Sequence, residues 1–130
     1  MYRTLQFRSG WPCEWVFDAH ENPVAPGARD LAEAIVQELK QDLPNTTEVS
    51  QHSYYGWSYE TEYEGATFHQ VINPTDEVFL TVRYQGYWWH WLLLRGPHGR
   101  LERYCGLLAA AVRRVPGLSD LHWIDENPTP

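Results

Sequence analysis

The stretch Tyr54-Tyr-Gly-Trp-Ser-Tyr-Glu-Thr-Glu-Tyr-Glu64 decides how this chain is read. From Tyr55 its odd positions are Tyr55, Trp57, Tyr59, Thr61 and Tyr63, and its even positions are Gly56, Ser58, Glu60, Glu62 and Glu64. Alternation with a period of two sends successive side chains to opposite faces of a β-strand, one packed and one wet. Here the wet face is a row of three carboxylates. Residues two apart on a strand lie roughly 7 Å from one another, so these glutamates repel, and strands disfavour Glu in any case. The row fits a plain solvated strand face, and it also fits a surface kept acidic for a basic partner.

On its C-terminal side, Glu64-Gly65 reads as a turn into a strand over 66–72, and Asn73-Pro-Thr-Asp76 as a turn into a strand over 77–84. Gln85-Gly86 has the composition of a two-residue hairpin turn. The run Tyr87-Trp-Trp-His-Trp-Leu-Leu-Leu94 is apolar on both faces except for His90, as in a strand covered on both sides. Leu101, Tyr104, Cys105, Leu108, Val112 and Val115 form one helical stripe over 100–115, with Arg100, Arg103 and Arg114 along its flank. Pro116-Gly117 ends that helix, and 118–124 reads as a last strand.

On its N-terminal side, residues 45–53 read as polar loop. Before them Leu31, Ala32, Ile35, Val36, Leu39 and Leu43 make the apolar stripe of another helix, and Asp30 with Glu33 has the spacing of a capping box. Residues 2–8 and 14–18 read as short strands, the second followed by the breaker cluster Asn22-Pro-Val-Ala-Pro-Gly27. The order β-β-α-β-β-β-β-α-β predicts an α+β fold: an antiparallel meander packed by two amphipathic helices. Trp57, Tyr59 and Tyr63 belong under the helices, with the glutamates on the opposite face. At 130 residues the chain makes one domain, 1–130, with 126–130 as a frayed tail; a chain of this length buries enough surface to fold without metal or disulfides.

The net charge of −7 disfavours general affinity for nucleic acid or anionic membrane. Residues 1–77 hold thirteen Asp/Glu against four Lys/Arg, whereas 78–114 hold six Arg against one Glu. Arg forms forked pairs with carboxylates, so part of the basic segment is expected to neutralise acids within the fold. Cys13 and Cys105 have no metal-ligand spacing and read as free thiols of a reducing compartment. The N-terminus lacks a signal-peptide apolar region, and Trp91-Leu-Leu-Leu94 is too short to span a bilayer, so a cytoplasmic location is the expectation.

No hydrolase, nucleotide-binding or metal motif occurs. His69 and His90, on adjacent or near-adjacent strands, could meet Glu60 or Glu62 and hold a metal with open positions, giving a small enzyme or metal-binding domain. Satisfied core or surface histidines are the commoner explanation, since antiparallel strands bring many such pairs together by chance. Cys105, on an apolar stripe, reads as inert packing; Cys13, near His20 and Glu14, is the remaining candidate nucleophile, with nothing to orient it. Core packing accounts for Trp89 and Trp91, while alternation leaves Trp57 and Trp88 open between core and surface. Glu60, Glu62 and Glu64, with Asp76, Glu77 and the rings of Tyr54, Tyr55 and Trp88, make an acidic, aromatic surface suited to steering and anchoring a basic protein.

Tyr55-Gly-Trp-Ser-Tyr-Glu-Thr-Glu-Tyr-Glu64, the closing unit Gly99-Arg-Leu-Glu-Arg-Tyr-Cys-Gly-Leu-Leu-Ala-Ala-Ala-Val-Arg-Arg-Val-Pro-Gly117 and Leu118-Ser-Asp-Leu-His-Trp-Ile-Asp125 give the chain a layout that resembles the small acidic bacterial immunity proteins, cytosolic antidotes to secreted antibacterial toxins. The resemblance is one of size, charge and layout over the whole chain, and no functional residue carries over from it. It implies a non-catalytic inhibitor that needs no cofactor or metal and binds a basic toxin domain, such as a nuclease. The other open reading is an adaptor or subunit of a bacterial assembly that joins through the aromatic surface.

Overall fold

The computed structural model describes residues 2–53, 56–85 and 97–124. Along the chain these form β1 (Tyr2–Ser9), β2 (Val16–Phe17), β3 (Pro23–Ala25), α1 (Arg29–Asp42), β4 (Ser50–His52), β5 (Gly56–Tyr63), β6 (Ala66–Pro74), β7 (Val78–Gln85), α2 (Pro97–Arg114) and β8 (Leu118–Ile124). Six strands make one antiparallel sheet in the order β4-β5-β6-β7-β1-β8, while β2 and β3 pair only with each other, as a small arm. The fold is α+β, with the expected antiparallel sheet and two helices. The meander holds from β4 to β7. Then β1 enters beside β7 and leaves β8 on the far edge.

The alternation of β5 holds from Tyr59 onward, whereas Gly56 and Ser58, expected on the wet face, are buried. Trp57, Tyr59 and Thr61 are buried and Tyr63 half-buried, whereas Glu60 and Glu62 are exposed. The buried row lies under the helices, because both apolar helical stripes are buried with it: Leu31, Ala32, Ile35, Val36 and Leu39 on α1, and Leu101, Tyr104, Cys105, Leu108, Val112 and Val115 around α2. At the centre Tyr104 stacks on Phe68, ring centroids 4.2 Å apart, and its hydroxyl bonds the Oε1 of the fully buried Gln70. Gln70 in turn donates through Nε2 to the Phe68 carbonyl oxygen (2.6 Å). Both polar groups are thus satisfied where burial would otherwise cost free energy.

Three local expectations are corrected. The capping box at Asp30 and Glu33 is not formed: α1 begins at Arg29 after Ala28, which is left-handed (φ 63) and gives no side-chain cap. The indole of Trp57 decides the chain path there, donating to the Gly27 carbonyl oxygen (2.8 Å). Glu33 instead accepts from Arg29 Nε (2.9 Å), one helical turn away. The segment 45–53, expected as loop, lines the edge of β5: Thr46 bridges Thr61, and β4 pairs with residues 56–58. Short, polar strands are what a sheet tolerates at its edge, so its composition hid it. The strand expected over 14–18 shrinks to Val16–Phe17 in the arm. The proposed strand at 87–94, with Trp88, Trp89, His90 and Trp91, the hairpin turn at Gln85-Gly86, and the tail at 126–130 reach outside the described residues.

Candidate partner-binding surface

The face of the sheet opposite the helices is set by strand register. Glu60 of β5 lies beside His69 of β6, His69 beside Arg83 of β7, and Arg83 beside Tyr2 of β1. Glu62 lies beside Thr67. At the edge, the 45–47 segment clamps the β5 backbone: Thr47 N donates to Glu60 O (2.8 Å), Glu62 N to Asn45 O (3.0 Å), and Glu60 N to Thr47 Oγ1 (2.9 Å). With its backbone held on both sides, β5 presents the two carboxylates from a fixed ridge.

The third glutamate behaves differently. Glu64 (φ 50) and Gly65 (φ 76) form the turn between β5 and β6, both left-handed as a two-residue hairpin turn of this type requires. Alternation stops there, and the Glu64 carboxylate meets α2, accepting from Arg103 Nη2 (2.6 Å) and Nε (3.3 Å), with Arg100 at 3.9 Å. The hydrogen bond from Arg103 holds its carboxyl below the usual carboxylate range. The expected ribbon of three open carboxylates is therefore a pair, Glu60 and Glu62, with Glu64 exposed but engaged by Arg103.

The other proposed residues do not converge on this pair. Asp76 is exposed and Glu77 half-buried in the β6–β7 turn, about 20 Å along the strands from Glu60. Glu77 also shares Arg8 with Asp120, each at 3.7 Å. Tyr54, Tyr55 and Trp88 lie outside the described residues.

His69 Nδ1 is 3.5 Å from Glu60 Oε1, and its ring centroid is 5.8 Å from that of His52. These rings, with Asn73, Thr81 and Arg83, line a shallow hollow of about 280 Å3. Sequence reasoning missed His52 and Arg83, since the signal is cross-strand register rather than spacing. Among the described residues no group of three or more His, Cys, Asp or Glu could hold a metal ion; His90, the other half of the proposed pair, lies outside them. Cys13 and Cys105 are free thiols. Burial pushes the Cys105 thiol up to about 12, as for inert packing. Cys13 is exposed, donates weakly to the Pro74 carbonyl oxygen (3.7 Å), and makes no hydrogen bond or ion pair with His20 or Glu14.

The charge split seen in the sequence resolves into internal pairs. Arg3 meets Glu102, Arg29 meets Glu33, Lys40 meets Glu48, Arg100 and Arg103 meet Glu64, and Arg114 bridges Glu38 (3.0 Å) and Asp42 (2.8 Å). Arg83 stands on the open face without an ion pair among the described residues, so the acidic part of that face is confined to its β5 side. No helix among the described residues is long and apolar enough to cross a membrane. Compared with known proteins, the chain matches no family model, no curated protein and no solved structure.

Proposed function

We propose that this chain is a non-catalytic inhibitor of the immunity-protein type, acting in the cytoplasm, whose acidic sheet edge at Glu60 and Glu62 occludes a basic toxin domain. One observation supports this reading above the rest: the chain's own cations are largely drawn into pairs with its own carboxylates, while Glu60 and Glu62 have no guanidinium or ammonium partner among the described residues. Part of the excess negative charge, beside what Glu14, Glu21, Asp30 and Asp76 carry elsewhere, is thus turned outward from the β5 ridge. Such a ridge steers a cationic surface into contact and competes with phosphate for its Arg and Lys. A nuclease or another nucleic-acid-modifying domain, whose substrate groove is positive, is the fitting target.

The test is direct. The product of the neighbouring reading frame is purified, and its binding to this chain and its residual activity are measured. Stoichiometric binding with loss of activity is expected. A neighbour that neither binds nor loses activity, together with a folded chain that carries a stoichiometric metal, would replace the inhibitor with the metal-binding reading.

A further inference from the structure

Between β1 and α1 the chain leaves the sheet and forms the β2–β3 arm. Val16 is 55% exposed, Phe17 56% and Val24 45%, the large apolar side chains that stand out at the surface among the described residues. Singly exposed apolar residues are ordinary, so what sets Val16 apart is that it also lines a hollow at the arm's root. The arm is ordered by its own bonds. Asp18 Oδ1 accepts from the amides of His20 (2.8 Å) and Asn22 (2.9 Å), Asp18 N donates to Asn22 O (2.9 Å), and Gln51 Nε2 donates to the Val24 carbonyl oxygen (2.9 Å). Its apolar side chains are therefore held out rather than frayed out, and binding there loses little conformational freedom.

The arm's root shapes a hollow against the start of α1, about 410 Å3 in volume. Pro12, Val16, Ala25 and Trp57 supply apolar wall, and Glu14 and Asp30 supply carboxylates with no ion-pair partner among the described residues. Arg29, also on the wall, is already balanced by Glu33 (2.9 Å) and lies over the Trp57 ring (5.6 Å). No Lys or Arg occurs from residue 9 to residue 28, whereas Glu14, Asp18 and Glu21 do. Apolar wall with an uncompensated acidic rim selects one kind of guest: a cation on a long apolar stem, as Lys and Arg are. Strand addition does not suit the arm, because β2 has only two residues.

We propose that the hollow between the β2–β3 arm and α1 docks a cationic, amphipathic segment of another protein, seating a Lys or Arg stem on Val16 with its charge between Glu14 and Asp30. This surface is separate from Glu60 and Glu62, and the proposal stands whether or not the sheet edge binds a toxin.

The probe is an acetylated Leu-Arg-Leu-Arg-Leu-Arg amide, titrated into the full 15N-labelled chain at low salt and followed by amide shifts. Shifts centred on residues 12–18 and 24–30 are expected, together with weaker binding of about tenfold or more in Val16→Ser and in the double variant Glu14→Lys/Asp30→Lys. A Leu-Glu peptide of equal length should not bind. All three substituted side chains are solvent-facing, so circular dichroism should match the parent; should Val16→Ser unfold, the neutralising pair Glu14→Gln/Asp30→Asn gives the same reading. Shifts centred on Thr61 and Glu62, absence of saturable shifts, equal binding of the Leu-Glu peptide, or unchanged affinity in the folded variants would each overturn the proposal.

Discussion

In the body of the molecule Phe68 is fully buried and stacked on Tyr104; in the arm Phe17 is more than half exposed. The same contrast holds for charge. Around the body, Arg103 closes on Glu64 and Arg114 on Glu38 and Asp42, while in the arm Glu14 and Glu21 have no ion-pair partner among the described residues. The body thus hides its apolar surface and pairs most of its cations, leaving Glu60 and Glu62 open, whereas the arm shows apolar side chains and carboxylates together. A region whose side chains do little for its own stability is where side chains are free to serve contact with something else.

The comparison breaks most readily on stability. Phe68→Ala should lower unfolding free energy by about 3–5 kcal/mol, the cost of a large core cavity, whereas Phe17→Ala should stay within about 0.5 kcal/mol, as for a surface change. Chemical denaturation measures both, and similar losses would mean that the arm belongs to the core. A smaller effect is expected where the two regions meet. A Cβ on Gly27 would lie 2.8 Å from the Cys13 carbonyl carbon, its Sγ and the Glu14 amide nitrogen, largely backbone that cannot yield cheaply. Gly27→Ala should therefore cost about 1–3 kcal/mol and move the arm's amide resonances; a neutral result would show the root to be loosely packed.

The smallest effect concerns the arm's turn and has a definite sign. The amide of Asn22, then that of His20, hold the Asp18 carboxyl below its ordinary 3.8. A carboxyl depressed by folding lends its stabilisation in full above the unfolded value and loses it as pH falls through the lower folded value. The His20 and Asn22 amide shifts should thus change with a midpoint below 3.8. A midpoint at or above 3.8 would mean that those amide bonds are not made.

What the sequence made legible was local and periodic. The α2 stripe from Leu101 to Val115 and the strand at 118–124 are found where their patterns place them, and the alternation of β5 names its buried and exposed residues from Tyr59 to Glu62, though not Gly56 and Ser58, which are buried. What it hid depends on partners far along the chain. Nothing in residues 2–8 says that β1 will lie between β7 and β8. The edge role of 45–52 is masked by composition, since an edge strand has no apolar face to display. Glu64 looks like Glu60 and Glu62 until the turn redirects it to Arg103. Val16 and Phe17 read as ordinary strand residues, and only their exposure in the arm marks them as unusual.

The central claim is that Glu60 and Glu62 form the charged ridge that a basic partner meets, and association kinetics test it most directly. With the neighbouring gene product as partner, the parent's association rate should fall steeply as salt is raised, and Glu60→Lys/Glu62→Lys should lower the low-salt rate by about tenfold or more. A low-salt rate that is the same for the parent and the doubly reversed chain would contradict the account.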